Sequence, residues 1–261
     1  MVYKDALSDS HMTNMLSKEH LEAFKDTGYT LVRGLYNSDE MKEITAWCDE
    51  VAAYPEVAGK YMMYFEHSRL DDQRRILSRI EDFEPWHRGF SRLFTAGRLK
   101  ACVDDLFSES SVLFKDKINF KMPGGSGFKA HQDIQAGWDT YAPLHITALL
   151  TIDPCTLDNG CLEMAPGYHK QGIIGEKWQP LEEDALDYVA VPTAPGDAVF
   201  FDSFAPHRSG PNLTDKPRRV LYVTYNKLSD GDHRRQYYID KRKNYPPDCE
   251  READREYVFR V

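Results

Sequence analysis

From Ser111 onward the chain stops reading as helix and becomes a series of short apolar runs divided by turn-forming triplets, a pattern that leaves few architectures open. Val112 to Met122, Leu144 to Ile152, Gly160 to Met164, Tyr188 to Val191, Ala198 to Asp202 and Arg219 to Lys227 each read as a strand. Pro123-Gly124-Gly125, Asp158-Asn159-Gly160, Ala165-Pro166-Gly167 and Ala194-Pro195-Gly196 supply the reversals. Many short strands bury their apolar faces by stacking two sheets, so a β-sandwich or jelly roll is expected.

Ahead of that half the period is helical. Ser17 caps a helix through Leu21 and Phe24, with Gly28 as its left-handed stop, and Tyr29 to Leu35 follow as a strand. Asn37 or Ser38 opens a second helix, marked by Met41, Ile44, Trp47, Cys48 and Val51. Phe90, Leu93, Phe94, Leu99, Val103 and Leu106 predict a further helix or helix pair ending near Phe107. Between them, residues 54–90 mix Tyr61, Tyr64 and Phe65 with Arg69, Arg74, Arg75 and Arg79. The basic cluster reads as a solvated helix face and the stretch as a candidate lid. The expectation is a mainly β fold with flanking helices in one domain over 1–261: helical support and lid over 15–110, jelly-roll core over 111–228, and an extension over 229–261. Met1 to Met12, ending in Ser-His-Met, read as an expression scar, so 1–14 are set aside.

A 41% hydrophobic and 12% aromatic composition suffices for a sizeable core. A net charge of −9 argues against nucleic acid or an anionic membrane as partner, while leaving room for a local basic pocket. No apolar run approaches the roughly 20 residues that span a bilayer, and no signal segment opens the chain, so a cytoplasmic protein with a small-molecule substrate is expected. The five cysteines are scattered without CxxC spacing, which disfavours a disulfide framework or zinc knuckle.

Chemistry concentrates in His131-Gln132-Asp133. On an extended strand, positions i and i+2 face the same way and can bind one metal together. An imidazole nitrogen and a carboxylate oxygen suit Fe(II), and a second histidine from a distant strand would complete a 2-His-1-carboxylate triad with positions left for an oxoacid and dioxygen. His207 falls where the apolar run Ala198 to Asp202 gives way to a Pro/Ser/Gly loop, and Arg218, then Arg219, enters the last strand, where a guanidinium can clamp a carboxylate. His145 and His169 lack an i+2 carboxylate and read as packing or surface residues; His67, His87 and His233 carry no metal spacing.

Four linked segments then carry a resemblance: Ile118-Asn119-Phe120-Lys121; His131-Gln132-Asp133; the run from Asn159 to Lys170; and His207 with Ser209 and Arg218. Over Ser111 to Lys227 the chain resembles the phytanoyl-CoA dioxygenase family of Fe(II)/2-oxoglutarate oxygenases. The resemblance implies a double-stranded β-helix, the cupin-like jelly roll, with iron on His131, Asp133 and His207. It further implies that Arg218 pairs with the distal carboxylate of 2-oxoglutarate, that Ser209 assists, and that Asn119 lies close by, with Arg219 separated from Arg218 only by strand register. The run from Asn159 to Lys170 is expected to be structural, Gly160 and Gly167 giving turns and Leu162 and Met164 packing inward.

The implied reaction consumes dioxygen and 2-oxoglutarate, releases succinate and CO2, and hydroxylates a C–H bond; Asp133 favours hydroxylation over halogenation, whose catalysts in this family replace that carboxylate. The acidic chain offers no obvious surface for the phosphates of an acyl-CoA, so a small polar metabolite is favoured: an aminoalkylphosphonate, an amino acid or an ectoine-like solute, the classes on which bacterial members act. Gln135, Trp138, Tyr141, Tyr61, Arg79, Lys129 and Arg208 are the expected substrate contacts. The rivals are an acyl-CoA hydroxylase, a non-catalytic jelly-roll binding protein and a zinc hydrolase on the same ligands.

Overall fold

The computed structural model describes residues 14–258; the suspected scar, Met1 to Met12, lies outside them. Helix α1 (Lys18–Thr27) begins where the Ser17 hydroxyl accepts the His20 N–H, and ends at Gly28, whose φ of 87° lets its own N–H reach Phe24 O. Strand β1 (Tyr29–Val32) is shorter than the sequence suggests. The Asp197 carboxylate takes the Gly34 N–H and the Arg33 guanidinium and turns the chain away from the sheet. Asn37 caps α2 (Ser38–Ala52), whose buried Met41, Ile44, Cys48 and Val51 form the expected stripe. The predicted helix pair is α3 (Arg88–Ala96) and α4 (Arg98–Phe107).

Residues 54–90 form sheet rather than a lid, and the cluster Arg69, Arg74, Arg75 and Arg79 is not on a helix. They hold β2 (Met62–Ser68) and β3 (Asp71–Glu81), an antiparallel hairpin that widens the sheet by pairing with β4 (Ser111–Lys121). The remaining strands are β5 (Phe128–His131), β6 (His145–Thr151), β7 (Leu162–Met164), β8 (Val189–Val191), β9 (Ala198–Asp202), β10 (His207–Ser209) and β11 (Arg218–Lys227). A helix the sequence did not announce, α5 (Arg234–Asn244), closes the chain's last turn over the site.

Two antiparallel sheets result, ordered β1-β9-β6-β11-β4-β3-β2 and β5-β10-β7-β8, the stacked pair expected of a jelly roll. Side-chain alternation divides the larger sheet into two faces. Ile118, Phe120, Ile146, Ala148, Leu150, Phe200, Leu221 and Val223 point outward into one core with α2, α3 and α4. Leu149, Val199, Phe201, Val220 and Tyr222 point inward against Leu162, Met164 and Val191 of the smaller sheet. At the open end, Met62, Tyr64, Phe114, Ile134, Trp138, Tyr237 and Tyr238 form a third, aromatic cluster. None of the described helices is long and apolar enough to cross a membrane.

Candidate active site

The open end of the sandwich holds a cavity of about 660 Å³. His131 is the last residue of β5, and Gln132 is extended (φ −107°, ψ 135°), so His131 and Asp133 come to the same side, as the i, i+2 argument requires. Antiparallel pairing of β10 with β5 sets His207 directly opposite His131. Their rings lie 4.3 Å apart.

Each imidazole is fixed by the backbone. His131 Nδ1 is 2.7 Å from Lys129 O and His207 Nδ1 is 3.1 Å from Ala205 O. A carbonyl only accepts, so Nδ1 carries the proton in both rings and Nε2 presents its lone pair. Both Nε2 atoms face Asp133 Oδ1, at 3.7 and 3.8 Å. Burial would push the Asp133 carboxyl up, yet His131, His207 and Lys117 outweigh it and hold it well below the carboxylate range. Burial, with His131 alongside, brings His207 down to about 4, so the ring is neutral at pH 7. Three side chains able to give an electron pair to a metal, their ligand atoms all within 4.8 Å of one another, therefore meet at one place. A divalent cation fits that donor set: two neutral imidazoles and one carboxylate. Thr147 Oγ1 steadies the other Asp133 oxygen at 3.3 Å and is itself held by Thr224.

Beside the triad lies a second polar cluster. Asn119 and Ser209 are on the cavity wall, and the buried Asn119 Oδ1 has no hydrogen-bond partner. Lys121 Nζ donates to Ser209 Oγ at 2.8 Å and to Gly160 O at 3.2 Å. Arg218, only 2% exposed, faces inward with Val220 and Tyr222; it stands behind the wall rather than on it, its Nη2 on Gly160 O at 2.6 Å and its buried Nε unpartnered. A buried guanidinium with an idle donor, close to a lysine and a hydroxyl, fits a carboxylate guest. Arg219 points to the helix side, with Nε and Nη2 on Asp153 at 2.7 and 3.0 Å. Gly160 allows the close approach here: a Cβ on it would lie 2.1 Å from Gly210 O. The Asn159 to Lys170 run thus packs as expected, with Leu162 and Met164 inward, and its Gly160 carbonyl also anchors Lys121 and Arg218.

Of the expected substrate contacts, Trp138, Tyr141, Arg79 and Arg208 line the cavity and the three others do not. Gln135 is fully buried, its amide spent on Gln132 N, Glu176 O and Gln179 O. Tyr61 packs in the helix-side core with its hydroxyl on Pro55 O. Lys129 is exposed, and only its carbonyl serves the site. Arg208 reaches the rim, but its guanidinium is paired with Glu163 and Glu183 and stacked on Tyr188. Strand alternation sends it away from its neighbours His207 and Ser209.

The sequence reading passed over Glu81, Lys115, Lys117, Tyr237 and Lys241, which share the cavity wall. The lysines had a signal: Lys115, Lys117 and Lys121 alternate with Asp116, Ile118 and Phe120 in a strand too apolar to be solvent-washed. Gln132 was also missed. It is fully buried between the two ligands and turned away from them, its amide bonded to Gly172 O, Phe204 O and Ile174 N. Gln132→Ala is expected to lower stability by about 1–3 kcal/mol through these lost bonds, measured by denaturant unfolding of the metal-free protein. An unchanged midpoint would remove Gln132 as the pin of this turn.

The sequence model of the phytanoyl-CoA dioxygenase family (PhyH) matches residues 24–220. The chain belongs to the phytanoyl-CoA dioxygenase family. Among curated relatives, a 2-aminoethylphosphonate dioxygenase from an uncultured bacterium, HF130_AEPn_1, is 37% identical over 92% of this chain and 93% of its own. A methylphosphonate hydroxylase from Gimesia maris is likewise 37% identical, over 90% of each chain. Among solved structures, EctD from S. alaskensis with 2-oxoglutarate and 5-hydroxyectoine superposes with a TM-score of 0.70 at 22% identity, covering 85% of this chain and 80% of that one. That likeness bears out the jelly-roll fold. This member of the phytanoyl-CoA dioxygenase family is an Fe(II)- and 2-oxoglutarate-dependent oxygenase, as the four linked segments implied.

Proposed function

We propose that this oxygenase hydroxylates a C–H bond of a small phosphonate, with iron on His131, Asp133 and His207 and 2-oxoglutarate held by Arg218, Ser209 and Asn119. The observation that carries the substrate class is the charge of the cavity wall: among the described residues Arg79, Lys115, Lys117 and Lys241 line it with one buried carboxylate, Glu81, outside the triad, the other two lining carboxylates, Asp240 and Glu256, being half-buried and exposed. The two relatives at 37% identity, each named for a phosphonate, support the same class. An acidic protein that keeps this many cations inside has reserved them for an anion.

Bound iron with 2-oxoglutarate and dioxygen supplies the oxidant, and succinate and CO2 are the co-products. The protein's share is orientation and exclusion of water. Backbone carbonyls of Lys129 and Ala205 orient both histidine rings, Thr147 holds the free oxygen of Asp133, and Lys121 donates to the Ser209 hydroxyl. Phe128, Trp138 and Tyr222 line the cavity that holds the triad. A cytoplasmic location, where 2-oxoglutarate is a common metabolite, belongs to the same reading.

The test is succinate release under air with iron and ascorbate across methylphosphonate, 2-aminoethylphosphonate, amino acids and acyl-CoAs. Phosphonate-dependent succinate is expected. Turnover confined to amino acids or acyl-CoAs would sink the assignment.

A further inference from the structure

Glu81 ends β3 with 1% exposure, and three cations converge on its two oxygens. Arg79 Nε lies 3.0 Å away, Lys241 Nζ 2.5 Å and Lys115 Nζ 3.5 Å. They come from three elements, β3, β4 and α5, so the cluster is built by the fold and not by one charged run. Burial alone would push the Glu81 carboxyl up; Lys115, Lys241 and Arg79 overcome it and hold it well below the carboxylate range. Among the described residues these three basic side chains gather on Glu81, and Lys117 adds a fourth basic group two positions on from Lys115; burial, with the neighbouring positive groups, lowers Lys241 well below its usual range and Lys117 to about 7. Like charges in a cavity of low dielectric repel strongly unless an anion joins them.

Aromatic rings hold these cations in place without cancelling their charge. Lys115 Nζ is 5.5 Å from the Trp138 ring centre and 5.6 Å from that of Tyr237. Lys241 Nζ stands 5.8 Å from Tyr237 and 5.9 Å from Tyr64, and the Arg79 guanidinium lies 4.2 Å from Tyr64. The cluster is also distinct from the place assigned to 2-oxoglutarate. Lys115 and Lys121 both face inward from β4, but six residues of strand separate their backbones by about 20 Å, well beyond the span of one five-carbon diacid. Between them, Lys117 and Asn119 face the cavity that holds the triad.

We infer that Arg79, Lys115 and Lys241 form the subsite for the phosphonate headgroup of the substrate, and that Glu81 is a positioning residue that gathers them. The inference rests on the phosphonate reading and adds where the headgroup sits and what recognises it: a compact oxyanion carrying up to two charges, with its carbon end toward the triad.

The test is calorimetric titration of the iron- and 2-oxoglutarate-loaded protein, with oxygen excluded, by methylphosphonate and 2-aminoethylphosphonate. Methanesulfonate, of similar shape with one charge, is the control. Lys115→Met and Lys241→Met are each expected to weaken phosphonate binding by tens of fold or more, with 2-oxoglutarate affinity unchanged; Lys241→Arg retains part of the affinity, and methanesulfonate binds the wild type more weakly than methylphosphonate. If the wild type binds phosphonates and both Met variants bind them equally well, the subsite is wrong while the proposed function stands. If the wild type binds neither phosphonate, the substrate reading falls and the subsite with it. Equal loss of 2-oxoglutarate and phosphonate would also overturn the subsite, by showing a collapsed site. Should Lys115→Met not fold, Lys241→Met, on the helix that covers the mouth, carries the test alone.

Discussion

Asp133→Ala is expected to abolish hydroxylation and iron retention while leaving the fold standing. Asp133 is the one anionic donor of the triad, and both Nε2 lone pairs are aimed at it. Two neutral imidazoles alone make a far poorer site for a hard divalent ion. The fold has little at stake: the turn after Asp133 is held by Ile134 N on Ser203 O, and Thr147 keeps Thr224 as partner when the carboxylate goes. Stability of the metal-free protein should therefore move by no more than about 1 kcal/mol. Metal analysis, succinate assays and denaturant unfolding read the three quantities separately. Full turnover at saturating iron would remove Asp133 from its role.

The second large effect separates two adjacent arginines. Arg218→Ala removes a buried guanidinium that faces the inter-sheet space with an idle Nε, so 2-oxoglutarate affinity is expected to fall by a factor of tens to thousands, or about 2–5 kcal/mol. Iron affinity should stay near the wild-type value. Arg219→Ala breaks the paired bonds to Asp153 on the other face, which should cost about 1–3 kcal/mol of folding stability and leave 2-oxoglutarate binding alone. Anaerobic titration of 2-oxoglutarate into the iron-loaded variants, followed by its visible absorption band, distinguishes them. The reverse result would mean that the strand presents the other arginine to the co-substrate.

Legibility followed the burial pattern. Where one face of an element is apolar, as in Met41, Ile44, Cys48 and Val51, the period in sequence is the period in space. The β2–β3 hairpin hides because its inward residues include Arg79 and Glu81 and its outward end is Asp71 to Arg75, so no apolar alternation survives. Helix α5 hides for a related reason: only Tyr237 and Tyr238 are buried, and Ile239 is exposed. Within the site, His131 and Asp133 were readable because two residues of extended chain suffice to unite them. Gln135 and Lys129 were misjudged because closeness in sequence to a ligand does not fix the side of the chain on which a residue points; Arg208 lines the cavity but spends its guanidinium on Glu163 and Glu183. Tyr61 failed by distance, lying across the larger sheet. Lys115 and Lys241 meet only through the three-dimensional pairing of β4 with α5, which no local pattern announces.

The two ends of the cavity share β4 and differ in their other structural owners. The triad and the co-substrate cluster stand on β4, β5, β10, β11 and the turn after β5, all but the end of β11 inside the stretch shared with the family at large, 24–220. Tyr237 and Lys241 stand on α5, outside that stretch, whereas Lys115 is on β4 and the hairpin bearing Arg79 and Glu81 lies inside it, at one edge of the larger sheet. Oxidising machinery and substrate choice can therefore change at different rates. A designer who transplants α5 between relatives would change Tyr237 and Lys241 on one side of the substrate grip while Lys115, on the strand that also carries Asn119 and Lys121, stays with the oxidising burner.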